Sequence, residues 1–256
     1  MAKNKCNDLN GKEWLQNSFS IWRDLKKTKD EKDFKHPASF PVSLCEKVIK
    51  TFSKNDAFIL DPFNGIGSTM TACANLERKG IGIDLSTEFC DLAKKRVVKN
   101  PNISIITGDS IKELTKLPAD SFDLCLTSPP YWDILNMKRT ADSKDSKNYS
   151  SDTNDLGNIS DYDLFLKKLG EIFEQVKLVL KPGGYCIVNV MDIRKKSNFY
   201  PLHSDLAAEL KKIGYIYDDL IIWDRQADYN NMKTLGYPYK FRINKVHEYL
   251  LIFIKP

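Results

Sequence analysis

Leu60-Asp61-Pro62-Phe63-Asn64-Gly65-Ile66-Gly67-Ser68-Thr69 is the stretch whose reading decides the fold. The apolar run Ala57 to Leu60 ahead of it reads as a strand, the two glycines as a turn, and the residues from Ser68 onward as a helix. In parallel α/β sheets such a turn lets the backbone approach a ligand at the helix N-terminus. The spacing of Gly65 and Gly67 also suits a dinucleotide, but Met70 stands where the third glycine of that fingerprint belongs and Pro62-Phe63 intrudes into its turn.

Working outward, strands and helices alternate. Strands are expected near Phe58, Ile83, Ile105 and Leu124, then over Tyr185 to Val190, Tyr217 to Trp223 and Tyr249 to Ile254. Helices are expected over Val42 to Phe52, from Ser68, from Thr87, near Ile111, over Tyr162 to Leu180 and over Leu202 to Ile213. Alternation of this kind requires an α/β fold with a mainly parallel, doubly wound sheet covered on both faces. Seven strands are expected. The last two are joined without a helix and are more naturally antiparallel.

With 256 residues and 42% hydrophobic content, the chain suits a single domain over 1–256. No apolar run approaches a membrane span and the N-terminus has no apolar signal region, so a cytoplasmic protein is expected. The six cysteines (Cys6, Cys45, Cys73, Cys90, Cys125 and Cys186) are scattered, which points to reduced structural thiols. The three histidines lie far apart, so no metal site is expected. A net charge of +5 permits nucleic-acid binding without requiring it.

A second motif follows the strand near Leu124: Thr127-Ser128-Pro129-Pro130-Tyr131-Trp132. Two prolines donate no backbone hydrogen bond and hold their predecessors extended, which makes a stiff loop with outward carbonyls. A rigid acceptor beside two aromatics suits a planar amine. The pair of motifs resembles the S-adenosylmethionine-dependent DNA amino-methyltransferases, which methylate the exocyclic nitrogen of cytosine or adenine. The resemblance covers nearly the whole chain and extends to His36-Pro37-Ala38-Ser39-Phe40-Pro41, Gly82-Ile83-Asp84, Lys181-Pro182-Gly183-Gly184, Ile222-Trp223 and His247-Glu248-Tyr249. It implies a Rossmann-like methyltransferase fold with an antiparallel terminal strand and S-adenosyl-L-methionine as cofactor. The cofactor motif precedes the catalytic motif, a permuted order relative to many members. No Pro-Cys dipeptide occurs, which counts against the ring-carbon cytosine methyltransferases.

On this resemblance the glycine-turn segment, with Phe63, Asn64, Gly65, Gly67 and Thr69, binds the cofactor, and Asp61 answers the methionine ammonium. Asp84, about 20 residues beyond the turn, is placed for the ribose hydroxyls. Asp109 is placed either for the adenine amine or, like Ser110, as a helix cap. The segment 1–41 completes the cofactor site through His36 and Phe40, with His36 otherwise a turn residue before Pro37.

The resemblance makes Ser128, Pro129, Pro130 and Tyr131 the catalytic set. The exocyclic nitrogen is a poor nucleophile because its lone pair is delocalised into the ring. Ser128 Oγ and the Pro129 carbonyl can accept both amine hydrogens and favour a pyramidal nitrogen. Tyr131 would stack on a flipped base; Trp132 either shares that role or packs in the core. Asp123 and Asp192 receive no catalytic role.

Serine at 128 matches the cytosine-N4 subset, whereas the adenine-N6 enzymes more often carry Asp or Asn. The expected activity is N4 methylation of cytosine in duplex DNA, in a restriction-modification or related system. The alternatives are adenine-N6 methylation, RNA or protein-glutamine methylation, a non-catalytic subunit, and a small-molecule methyltransferase or dinucleotide enzyme. No large recognition domain is expected, so target reading falls to 137–158, a lid or a spacer, to 225–245, to the N-terminal stretch Trp14 to Lys35 or to another subunit. In 225–245 Arg225, Lys233, Lys240, Arg242 and Lys245 outnumber the acids and alternate with Tyr229, Tyr237, Tyr239 and Phe241. Such a loop either tracks phosphates or is solvated, with its tyrosines packed. A cognate nuclease or specificity partner and a dimer are left open.

Overall fold

The computed structural model describes residues 5–33, 39–98, 100–133, 155–228 and 234–256. An N-terminal segment carries α1 (Gly11–Asn17), β1 (Ile21–Trp22) and α2 (Lys29–Asp33), and leads into α3 (Val42–Phe52). The alternating body follows: β2 (Phe58–Asp61), α4 (Ser68–Asn75), β3 (Lys79–Asp84), α5 (Thr87–Arg96), β4 (Ile103–Thr107), α6 (Ser110–Leu114) and β5 (Phe122–Thr127). Beyond the Ser128–Trp132 loop come α7 (Tyr162–Val179), β6 (Leu180–Val190), a hairpin of β7 (Ile193–Lys195) and β8 (Asn198–Tyr200), α8 (Leu202–Lys212), β9 (Ile216–Asp224) and β10 (His247–Ile254).

The main sheet has the order β1-β9-β10-β6-β5-β2-β3-β4. β10 runs antiparallel to both β6 and β9, as its helix-free connection predicts, and the other pairings are parallel. The sheet has eight strands rather than the expected seven. The addition is β1, which sets Ile21 beside Ile222 and Trp22 beside Trp223. Two residues are too few for an alternating pattern to register. What holds β1 is Trp22, whose ring is buried against the core and whose indole N–H donates to the Asn17 carbonyl at 3.2 Å. The β7–β8 hairpin, equally short, stands apart as a two-stranded sheet and was not expected either.

Both faces of the sheet are covered, and strand alternation assigns the side chains. Cys186, Val188 and Val190 of β6 join α7 and α8 in one core, while Ile187 joins α3 and α4 in the other. On β5, Leu124 and Leu126 face the α3–α4 side. Phe122 and Cys125 share the opposite face despite their odd spacing, because the β5–β6 register shifts between Phe122 and Leu124. At that irregularity Asp123 accepts from the Phe58 backbone N–H (2.9 Å) and from Lys181 (2.6 Å), a structural role.

The chain runs β2, β3, β4 towards one edge and then returns to β5 on the other side of β2. The crevice beyond the C-terminal ends of β2 and β5 is therefore the topological switch point, where open α/β sheets bind their ligands. Asp61 ends β2 and Thr127 ends β5.

Candidate active site at the switch point of the sheet

The glycine turn is held from both sides. Gly65 and Gly67 lie at φ +51° and +79°, and a Cβ on Gly67 would come within 2.8 Å of the Ala93 Cβ, so α4 and α5 approach closely only without a side chain there. The Asn64 N–H donates to the Ile83 carbonyl at 2.9 Å and the Gly65 N–H to Asp84 Oδ2 at 2.7 Å, tying the turn to β3. Asp84 also accepts from the Ser86 N–H at 2.9 Å, while Ser86 itself caps α5. Burial pushes the Asp84 carboxyl up, against these two backbone donors.

Asp61 is 1% exposed. It accepts from Thr127 Oγ1 (2.6 Å) across the switch point and from the Phe63 N–H (3.1 Å), and the wholly buried Thr69 faces it. Burial raises its pKa from 3.8 to about 6, opposed by these hydrogen bonds. In the unfolded chain the proton leaves near 3.8, so between these values the folded state holds more protons and stability falls as pH rises. Above pH 6 the buried carboxylate costs roughly 3 kcal/mol. Asp61→Asn is accordingly expected to melt higher than the parent at pH 7.5 and to lose the slope between pH 4 and 6, as melting curves across that range would show. A flat parental profile would refute it.

The remaining sequence-derived residues divide. Asn64 is buried beneath the turn, where a Cβ on Gly82 would collide with it, so its side chain braces β3 and is not open to a ligand. Phe63 is partly buried, 6.4 Å from the Phe173 ring. Asp109 does cap α6, accepting from the Ile111 N–H at 3.0 Å, and Ser110 donates instead to the Pro62 carbonyl at 2.5 Å. Phe40 packs with Leu44, Cys45, Leu126 and Leu250 around a narrow apolar crevice that Asn189 also borders. His36 lies outside the described residues.

The Ser-Pro-Pro-Tyr loop leaves β5 with Ser128 beside β6, its Oγ 3.2 Å from the Asn189 carbonyl and 3.1 Å from the Tyr131 hydroxyl. Trp132 is 4% exposed, edge-on to Tyr162 and Tyr200 with the Lys195 ammonium 3.8 Å above its ring. Of its two alternatives it takes the core, and it has no free face for a base. Tyr131 is partly buried, and its hydroxyl enters a polar cluster on which the sequence is silent. It donates to Glu248 at 2.8 Å and accepts from Asn189 Nδ2 at 2.9 Å. Burial and the Glu248 charge push this phenol well up. Asp192, just past β6, receives His203 at 2.6 Å and Tyr249 at 3.3 Å.

Of the basic loop, Lys240, Arg242 and Lys245 are described and Lys233 and Tyr229 are not. Tyr237, Tyr239 and Phe241 stand 79%, 94% and 92% exposed, so these aromatics are not packed. Arg225 departs from expectation. It pairs with Glu248 and Asp228 and lies over the Trp223 ring at 4.8 Å, which spends its charge inside the fold. The lid-or-spacer segment 137–158 lies outside the described residues up to 154; 156–158 form a short 3-10 turn capped by Asp155.

All six cysteines are free, five of them buried. Among the described residues no group of three or more His, Cys, Asp or Glu could hold a metal ion, and no helix is long and apolar enough to cross a membrane.

The doubly wound sheet with its antiparallel strand defines a Rossmann-like methyltransferase fold. TrmN from Thermus thermophilus shares that fold, at TM-score 0.54 over 86% of this chain and 50% of its own, with 14% identity. The chain matches the N6_N4_Mtase family, DNA methylases, over residues 2–95 and 122–256, and it belongs to that S-adenosylmethionine-dependent family. Residues 60–140 also match a general methyltransferase domain. The orphan methyltransferase M.BamHII of Bacillus amyloliquefaciens is 41% identical over 83 residues, 31% of each chain. The type II methyltransferase M.MjaI of Methanocaldococcus jannaschii is 30% identical over 173 residues, 60% of this chain and 56% of its own. The matched regions thus span between about a third and just over half of these curated relatives.

Proposed function

We propose that this chain methylates the exocyclic N4 amine of cytosine in duplex DNA. The observation that carries the reading is Ser128, a hydroxyl on a proline-stiffened loop at the switch point, where an amine can meet both its Oγ and the Pro129 carbonyl. Bound S-adenosylmethionine supplies an electrophilic sulfonium methyl. The acceptor set at the strand ends suits that cofactor: Asp61, the more deeply buried of the two acids beside the turn, answers its ammonium, Asp84 faces its ribose, and the oxygen of Asp109 not used in capping α6 is offered to its adenine amine. Gly65 and Gly67 give the backbone room to approach it. A cation at Asp61 requires the carboxylate, so cofactor affinity is expected to weaken below about pH 6.

Ser128 and the Pro129 carbonyl orient the amine and draw its hydrogens out of the ring plane, which exposes the nitrogen lone pair. Tyr131 stacks on the base, which leaves its duplex at a cost of a few kcal/mol, partly offset by stacking of about 1–3 kcal/mol. Serine rather than aspartate or asparagine at 128 is the reason for choosing cytosine. The type II relatives suggest a restriction-modification setting.

Lys240, Arg242 and Lys245 are proposed to follow the phosphate backbone, with the exposed Tyr239 and Phe241 beside them. Replacing Lys240 and Arg242 with alanine is expected to weaken DNA binding about equally across sequences and to lower the salt slope by about one for each phosphate no longer neutralised. Titrations from low to moderate salt test this, and an unchanged slope would move phosphate recognition elsewhere on the chain.

The deciding experiment incubates the protein with labelled S-adenosylmethionine and unmethylated duplex DNA, then identifies the modified nucleoside by mass. N4-methylcytosine is expected. N6-methyladenine would overturn the base, and label in RNA or protein alone would overturn the class.

A further inference from the structure

Glu248, on β10, is 4% exposed and sits at the centre of the polar cluster behind the catalytic loop. As a carboxylate it donates nothing. Its Oε1 accepts from Arg225, and its Oε2 accepts from Asn189 Nδ2 at 2.6 Å and from the Tyr131 hydroxyl at 2.8 Å. These partners fix the orientation of Asn189 and the proton of Tyr131. Asn189 must turn its nitrogen inward, since the reverse would set its oxygen against the carboxylate, and its Oδ1 is left buried without a partner among the described residues. Tyr131 has a single proton, committed to Glu248. The 3.1 Å approach of Tyr131 to Ser128 can therefore use only the Ser128 proton, whose other acceptor among the described residues is the Asn189 carbonyl at 3.2 Å. In either case that proton points into the protein, and the Oγ lone pairs remain for an incoming group.

We propose that Glu248 is a positioning residue that sets the direction of these hydrogen bonds, so that Ser128 meets the substrate amine as an acceptor only. The inference rests on the amine-methylating role given to Ser128 above. A hydroxyl free to rotate would present its proton to an N–H for part of the time; one held by Glu248 through Tyr131 does not.

Glu248→Gln keeps the shape and reverses the polarity. Arg225 holds the amide oxygen on its own side, so the new NH2 faces Tyr131 and Asn189. Asn189 can turn its unused oxygen to receive it. Tyr131 then accepts where it donated, and its proton is freed to turn onto Ser128 Oγ at 3.1 Å, with the turned Asn189 oxygen at 2.9 Å the competing acceptor. The expected result is a fall of about 30-fold in kcat, with KM for S-adenosylmethionine within twofold. Adding Tyr131→Phe to Glu248→Gln removes the misdirected proton and should raise kcat at least fivefold over the single variant, a recovery that a packing role for Glu248 would not give. A kcat for Glu248→Gln within threefold of the parent, or a double variant no faster than the single, overturns the proposal. If Glu248→Gln does not fold, Glu248→Asp, still acceptor-only, is expected to keep at least a tenth of parental kcat, and less than that overturns it. A parent silent on DNA sinks the function proposed above as well. An active parent with a dead Ser128→Ala and an unimpaired Glu248→Gln sinks this inference alone.

Discussion

Ser128→Ala is expected to lower kcat for DNA methylation by about 10²–10³-fold, the range seen when one preorganised polar group at a reacting centre is deleted. The two acceptors offered to the amine are the Ser128 Oγ and the Pro129 carbonyl, and the backbone carbonyl survives the substitution. What remains is a site that binds and stacks the base but draws only one hydrogen out of the ring plane. Cofactor affinity should stay within twofold, because Ser128 touches Asn189 and Tyr131 rather than the glycine turn. Calorimetric titration of cofactor beside single-turnover kinetics separates the two effects. A variant with parental turnover would remove Ser128 from the chemistry.

Asp84→Ala is expected to act on the other side of that division and to weaken cofactor binding about 100-fold. A carboxylate accepting from two hydroxyls contributes charge-assisted bonds of about 1.5–3 kcal/mol each. The same carboxylate holds the Gly65 and Ser86 N–H groups, so the glycine turn also loses its anchor to β3. Two orphaned backbone donors add about 1–3 kcal/mol of lost stability each. Asp84→Asn retains one oxygen for the turn and should recover part of the stability without the full affinity. An Asp84→Ala protein that folds and binds cofactor as the parent does would place the ribose elsewhere.

The body of the fold was legible because its elements are long and regular. Val42–Phe52 begins and ends where its apolar spacing predicts, and β5, β6, β9 and β10 each carry apolar runs. β1 and the β7–β8 hairpin were not legible, because two or three residues hold no period and their pairing depends on partners far along the chain or on a tight turn. The site divides in the same way. Asp61, Asp84 and Ser128 stand at strand ends that the sequence locates. The cluster of Tyr131, Asn189, Glu248 and Arg225 joins four segments, and His247-Glu248-Tyr249 offered a signal of membership in a family without a role. Charge counting and interleaved aromatics put Arg225 in a loop that either tracks phosphates or is solvated, and neither signal reveals the buried Glu248 on the neighbouring strand with which it pairs.

One linkage reaches from the start of the chain to the cofactor turn. Glu31, itself buried, accepts from the Val42 N–H at 2.8 Å and from the Thr28 N–H at 2.9 Å, and lies 4.0 Å from Arg96, whose other nitrogen donates to the Ile66 carbonyl at 2.8 Å. The segment around α2 is thus a keystone for a turn about 30 residues downstream. A protease cut or a truncation that discards it also takes Trp22 out of the core and β1 off the sheet, and removes the carboxylate beside Arg96 beneath the glycines. Such a product is expected to melt lower than the full chain and to bind its cofactor more weakly, the two losses reaching the turn through one buried carboxylate.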